Sequence, residues 1–151
     1  MHEPVQASFV VTAGPSQEKV FAALLDVERF PEWGSGLREA RTLDAPADGL
    51  APGTSIELTL SAVGIAHRVL STVTTVEPPR LLEWRYTEGA AGTGGWAVED
   101  LGSAVKMTFQ TSYEINPPWL DQLANLPFFR GVVEELLRRS MRRFIEHLKE
   151  G

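Results

Sequence analysis

The 151-residue sequence contains no cysteine, no excess of basic residues and no long apolar run, and each absence excludes a class of protein. A chain without cysteine has no disulfide scaffold, cysteine nucleophile, iron–sulfur cluster or thiolate zinc site. Fourteen basic against twenty acidic residues give a net charge of −6, whereas a nucleic-acid-binding protein normally presents a basic face. We therefore expect no nucleic-acid partner.

Two further absences concern export and membranes. Residues 1–6 lack the basic residue and the apolar block that open a secretory signal. The longest charge-free apolar stretch, residues 58–66, is far shorter than the ~20 residues of a membrane-spanning helix. We expect a cytoplasmic monomer or weak homodimer without an integral membrane segment. Because the chain shows no repeat and no linker, we also expect a single domain over residues 1–151.

Apolar and polar residues alternate over much of the first 115 residues. Val5–Thr12 shows this alternation and predicts a first strand. From residue 36 to residue 115 the same period recurs in successive runs, which are separated by turn signals such as Val63-Gly64. Sequential strands with short turns predict an antiparallel meander that has one apolar face and one polar face.

Three segments show helical signals instead. Pro15 and Ser16 favour the start of a helix after the first strand, and Pro31 closes a second short helical turn. From about residue 127, apolar residues recur at helical spacing over about six turns. A helix that long buries its apolar stripe by lying across the sheet. The sequence therefore predicts an α+β fold, with two short helices after strand 1 and a curved antiparallel sheet of six or seven strands wrapped around the C-terminal helix.

The segment after Pro15 carries a family resemblance. Residues 20–33 read Val-Phe-Ala-Ala-Leu-Leu-Asp-Val-Glu-Arg-Phe-Pro-Glu-Trp. They resemble the early signature of the START-related (SRPBCC) superfamily, and most closely that of its polyketide cyclase/dehydrase-like and lipid-transport group. We expect Asp26 to accept hydrogen bonds at the junction of the two short helices, and Phe30, Pro31 and Trp33 to close one end of the sheet.

The resemblance implies a helix-grip fold with a deep cavity between the sheet and the long helix. The residues expected to bind a ligand there are mostly apolar with a few polar tips, as is usual for a small-molecule pocket. On the strands they are Leu58, Leu60, His67, Val69, Trp84, Tyr86, Trp96, Met107, Phe109 and Tyr113, and on the helix they are Phe129, Val133, Leu136, Leu137 and Ser140. The alternative is that these side chains simply pack against one another.

Candidate catalytic groups are few. His67 lies within a predicted strand and, with Tyr86 and Tyr113, is a candidate for acid–base chemistry or for contact with a ligand. It could equally be a hydrogen-bonded wall residue, or point to solvent if the strand parity is reversed. The sequence has no serine or threonine in a nucleophile elbow and no histidine spacing typical of a metal site. We therefore expect no metal and no cofactor.

Four further segments have a structural and a functional interpretation. Residues 92–95 lack the Lys-Ser/Thr ending of a phosphate loop, which favours a flexible hairpin or bulge before a strand beginning at Trp96. The four arginines between residues 138 and 143 follow glutamates at pairing distance, which indicates a solvated helix face rather than a headgroup site. The apolar turn at residues 62–65 and the proline-bounded segment 116–127 either gate a pocket or close the core.

Three functions fit these patterns. The first is non-enzymatic carriage or sensing of a hydrophobic small molecule, such as a lipid, an isoprenoid or a polyketide-like aromatic. It is favoured because the cavity candidates include no convergent acid–base pair. The second is an aromatase or cyclase acting on a polyketide chain, which needs an acid and a base beside a ketone. The third is a protein-interaction module, which an apolar surface patch without a cavity would indicate.

Overall fold

The computed structural model describes residues 5–12, 14–44, 46 and 49–150. They form a sheet, two short helical segments after its first strand, and two helices at the C-terminal end. In chain order the elements are β1 (Val5–Thr12), α1 (Gln17–Leu25), a 3₁₀ helix (Val27–Glu32), β2 (Leu37–Leu43), β3 (Ser55–Ala62), β4 (Ile65–Glu77), β5 (Leu81–Glu88), β6 (Ala90–Asp100), β7 (Ala104–Ile115), α2 (Pro118–Ala124) and α3 (Pro127–Glu150).

The seven strands pair antiparallel in the order β1-β7-β6-β5-β4-β3-β2. From β3 to β7 each strand pairs with the one before it in the chain. β1 pairs with β7 along its whole length, so that Val5 lies opposite Thr111 and Thr12 opposite Ala104. The sheet curls around α3 as a half-barrel. This architecture confirms the predicted α+β helix-grip fold.

The start of α1 follows from its cap. The side-chain oxygen of Ser16 accepts a hydrogen bond from the Lys19 backbone N–H at 3.2 Å, which satisfies one of the free donors of the first turn. The expectation for Asp26 is wrong. Its side chain makes no capping hydrogen bond, and its carboxylate lies on the surface, 4.0 Å from Nε of Arg29. The 3₁₀ helix therefore starts without a side-chain cap.

The C-terminal half of α3 is packed into the core. Met141, Phe144 and Leu148 are buried in the same hydrophobic cluster as Met107 of β7. The ring of Phe144 meets that of Trp33 edge to face, with centroids 4.7 Å apart. Trp33 is thereby buried in the core against α3, and the ring of Phe30 also packs against it, with centroids 5.1 Å apart. That these residues close one end of the sheet stays a prediction.

Hydrogen bonds fix the same half of α3 to the segment that follows the 3₁₀ helix. The backbone N–H of Ser35 donates to Oγ of Ser140 at 2.8 Å, and the Ser140 hydroxyl donates to the Leu136 carbonyl at 2.7 Å. Nη2 of Arg143 donates to the carbonyl of Glu32 at 2.8 Å. These bonds set the position of α3 from Leu136 onwards.

Two segments differ from the expectation. Residues 92–95 lie within β6, because β5 and β7 pair with them on both sides, and the strand begins at Ala90 instead of Trp96. Residues 118–124 form α2, in which Pro118 occupies the first turn, where a missing N–H costs little. Among the described residues, no helix is long and apolar enough to cross a membrane.

Candidate functional site

The strand residues predicted to bind a ligand all lie on the inner face of the sheet, which α3 covers. In the strand register Leu60 lies opposite His67, and Trp96 lies opposite Phe109. These side chains therefore share the face that carries the buried core. The full set on this face is Leu58, Leu60, His67, Val69, Trp84, Tyr86, Trp96, Met107, Phe109 and Tyr113. Their contact with a ligand stays a prediction.

The helix residues of the prediction are Phe129, Val133, Leu136, Leu137 and Ser140. Ser140 is buried and serves the hydrogen bonds to Ser35 and Leu136. Leu136 packs closely on the backbone, since a Cβ at Gly36 would lie 3.1 Å from its Cδ1. Val133 remains 43% exposed, although it lies one turn before Leu137.

Burial divides the predicted site residues into two groups. Val69, Trp96, Met107 and Ser140 are buried and contribute to the packing of the core. The others are accessible to solvent to different degrees, up to 39% exposure for Leu60 among the strand residues. Because an enclosed side chain can touch a ligand only if the core opens, the accessible group forms the candidate site.

A cleft of about 290 Å³ lies between the edge strand β1 and the N-terminal half of α3. Ala7, Phe9 and Leu137 supply its apolar lining, and the exposed Glu134 and Arg138 stand at its rim. We call it the β1–α3 cleft. Its volume is near the lower limit of small-molecule pockets, roughly 300 Å³. Ala7 and Phe9 are not among the residues predicted to bind a ligand, although the alternation in β1 places both on the inner face.

An aromatic cluster borders the accessible part of the inner face. The ring centroids of Trp96 and Phe109 are 5.0 Å apart, and those of Trp84 and Phe109 are 6.2 Å apart. Trp96 is buried, whereas Trp84 and Phe109 are partly exposed. Trp84 and Phe109 thus expose part of their rings on the inner face, whereas Trp96 belongs to the core.

Two of the candidate polar groups are already engaged in hydrogen bonds. The Tyr86 hydroxyl lies 2.7 Å from Oγ1 of Thr111, and Thr111 donates its own proton to the Thr93 carbonyl at 3.2 Å. Because Thr111 has one proton to donate, Tyr86 is the donor of the first bond. Nε2 of His67 lies 2.7 Å from the Gly89 carbonyl oxygen, which can only accept, so Nε2 carries a proton.

Tyr113 differs from these two residues. It lies opposite Gly92 of β6, and its hydroxyl has no hydrogen-bond partner within the described part of the chain. Burial raises the pKa of Tyr113; the neighbouring Tyr86 and Asp121 raise it further, and Arg130 lowers it. The phenol is therefore neutral near pH 7 and carries a proton that it can donate.

Neither a metal site nor an open cationic patch is evident here. In the residues that the structure describes, no group of three or more His, Asp or Glu side chains is arranged to hold a metal ion. On the outward face of α3, Glu135 lies 3.5–3.6 Å from each of three exposed arginines, Arg138, Arg139 and Arg142. These exposed ion pairs agree with the predicted solvated helix face.

Solved structures with the same curled sheet and long helix define the class of fold. The protein TTHA0849 from Thermus thermophilus superposes with a TM-score of 0.78 at 16% identity, over 98% of each chain. A START superfamily protein from Mycobacterium smegmatis gives 0.69 at 14% identity, over 97% of each chain. The Zhui aromatase/cyclase from Streptomyces sp. R1128 gives 0.71 at 14%, over 97% of this chain and 93% of that one. The fold is that of the START-related helix-grip proteins.

The chain belongs to the polyketide cyclase/dehydrase and lipid transport family, whose model matches residues 4–150. The match confirms the resemblance carried by residues 20–33. No curated protein sequence is significantly similar to the chain. Because the family includes both enzymes and lipid-transport proteins, membership alone does not distinguish catalysis from ligand binding in this chain.

Proposed function

We propose that the protein binds a hydrophobic small molecule in the β1–α3 cleft and on the accessible inner face beside it. The supporting observation is the change of exposure along α3. Phe144 in the C-terminal half is fully buried, whereas Val133, about three turns earlier on the same side of the helix, is 43% exposed. Towards its N-terminal end the apolar side of α3 therefore lacks protein cover.

Uncovered apolar surface at this position favours a ligand. Such surface is unfavourable in water by ~25 cal/mol per Å². A molecule between helix and sheet would remove part of Val133, Leu137 and Phe9 from water, and these residues come from the two elements that bound the cleft. The gain from this burial would support binding without any large rearrangement of the fold.

The walls favour a ligand with rings or aliphatic chains. Trp84 and Phe109 offer partly exposed ring surfaces on the inner face, and Leu58 and Leu60 extend the apolar surface on β3. A lipid, an isoprenoid or a polyketide-like aromatic presents matching surface. The β1–α3 cleft alone would hold a small ring system or part of a longer chain.

The second candidate function is that of an aromatase or cyclase, which family membership favours. Such chemistry needs an acid and a base beside an enolisable ketone. His67 and Tyr86 each donate a proton to a protein acceptor, which reduces their availability for proton transfer. Binding is therefore the better supported of the two functions.

Titration with N-phenyl-1-naphthylamine, an uncharged dye that fluoresces in apolar surroundings, tests the proposal. We expect saturable binding at one site per chain. Leu137→Trp should weaken it at least about tenfold, because the larger ring fills the cleft. Leu101→Trp, at an exposed leucine between β6 and β7, is the matched control. No saturable binding, or equal affinity in a folded Leu137→Trp variant, would refute the proposal.

A further inference from the structure

Among the polar side chains predicted to face a ligand, the hydroxyl of Tyr113 differs from the polar groups of Tyr86 and His67 in its hydrogen bonding. Tyr86 donates to Thr111, Thr111 donates to Thr93, and His67 donates to Gly89. The hydroxyl of Tyr113 has no such partner among the described residues, although the side chain is partly buried and lies on the same face. This hydroxyl is not enclosed and can bond to water, so the oxygen of a ligand on the inner face can replace that water as its hydrogen-bond acceptor.

We propose that the ligand is an uncharged, largely apolar molecule with one hydrogen-bond-accepting oxygen, as in a ketone, an ester or an alcohol, and that Tyr113 donates its proton to that oxygen. The proposal rests on the binding proposed above. It adds the chemical class of the ligand and the end of the site at which its polar atom lies.

The neighbourhood of Tyr113 explains why the oxygen should be uncharged. A ligand carboxylate would have to lose its hydration among the largely apolar side chains of the inner face, which costs far more free energy than the burial of a neutral oxygen. A neutral carbonyl or hydroxyl oxygen loses less hydration and still accepts the hydrogen bond.

The position of Tyr113 also orients the ligand. Tyr113 is on β7, which pairs with β1, and Phe109 of β7 lies opposite Ala7, a residue of the cleft lining. Tyr113 is four residues beyond Phe109 on the same strand, towards α2. A ligand whose apolar part occupies the β1–α3 cleft would therefore carry its oxygen at the end nearer to α2.

Three naphthalenes of similar size test the proposal by displacement of N-phenyl-1-naphthylamine. They are 2-acetylnaphthalene with a ketone oxygen, 2-ethylnaphthalene without oxygen, and 2-naphthoate with a carboxylate. In the wild type we expect the ketone to bind about tenfold more tightly than the hydrocarbon, and the carboxylate to bind more weakly than the ketone. In Tyr113→Phe the preference for the ketone should fall to about unity, while affinity for 2-ethylnaphthalene is retained.

Ser112→Ala is the matched control, because Ser112 is the neighbour of Tyr113 on β7 and carries its hydroxyl on the opposite face of the sheet. We expect this variant to keep the preference for the ketone. Retained affinity for the dye shows that each variant is folded. Three outcomes would overturn this inference without contradicting the proposed binding site. They are a preference for the ketone that survives in Tyr113→Phe, tightest binding of 2-naphthoate, and binding of the dye without binding of any of the three naphthalenes. Failure of the wild type to bind the dye would overturn the proposed function as well.

Discussion

The indole ring of Trp84 lies against Gly94, its partner on the neighbouring strand β6. A Cβ added to Gly94 would lie 2.7 Å from both Cε2 and Nε1 of the indole, closer than van der Waals contact permits. The glycine therefore makes room for the aromatic side chain that borders the candidate site. Glycine by itself weakens a strand, but at position 94 the absence of a side chain leaves the space that the Trp84 ring occupies.

We expect Gly94→Ala to displace the Trp84 ring and to lower the free energy of unfolding by about 1–3 kcal/mol. Urea unfolding gives the free energy, and near-ultraviolet circular dichroism reports the movement of the indole. Gly131→Ala on α3 is the matched control, because nothing lies within 4 Å of its added Cβ and alanine favours the helix. Equal stability of Gly94→Ala and the wild type would contradict this account of the strand.

Ser140 links α3 to the segment after the 3₁₀ helix through the Ser35 N–H. Ser140→Ala leaves that partly buried N–H without its acceptor, so we expect a loss of about 1–3 kcal/mol in the free energy of unfolding. Ser103→Ala, in the exposed turn before β7, should change stability little. Thermal unfolding of both variants tests this, and equal midpoints would show that the link contributes nothing.

Glu57 lies on the outer face of the sheet between arginines of the two neighbouring strands. Its side chain is only 7% exposed. One carboxylate oxygen accepts from Arg41, and the other accepts from Nε of Arg68 at 2.8 Å. These hydrogen bonds, with that of Arg41 the larger, hold the pKa of Glu57 below its usual value of 4.5.

Ionised Glu57 therefore stabilises the fold above the unfolded-state pKa, and this contribution is lost as the pH falls through the lower folded-state pKa. We expect Glu57→Gln to be less stable than the wild type at neutral pH, with a difference that shrinks below pH 4.5. Urea unfolding from about pH 7 down to about pH 3 measures it. Glu88→Gln, at an exposed glutamate of β5, is the control. A difference independent of pH would be the contrary result.

The sequence predicted the fold well, because period-two alternation fixes which side chains share a face once the sheet is antiparallel. That is why Leu58, Leu60 and His67 lie where their spacing indicated. It did not predict α2, because the seven-residue helix that starts at Pro118 is too short to show a clear helical period. It also failed for residues 92–95, where pairing on both sides outweighs the low strand propensity of glycine.

The candidate site was predictable only in part. Alternation identifies inward-facing residues, but it cannot distinguish the buried Met107 from the accessible Phe109 two positions later. That difference depends on how closely other elements pack on each part of the inner face, which local alternation does not report. The bond between Tyr86 and Thr111 joins residues 25 positions apart, so no local pattern reports that it engages the Tyr86 hydroxyl.

The central claim, that a hydrophobic ligand binds between β1 and α3, is tested most directly by one pair of substitutions on a single strand. Ala7 lines the cleft, whereas Val10, three residues further, is exposed on the opposite face of β1. We predict that Ala7→Phe fills the cleft and weakens binding of N-phenyl-1-naphthylamine at least about tenfold, while Val10→Phe binds it like the wild type. Equal affinity of the two folded variants would contradict the claim.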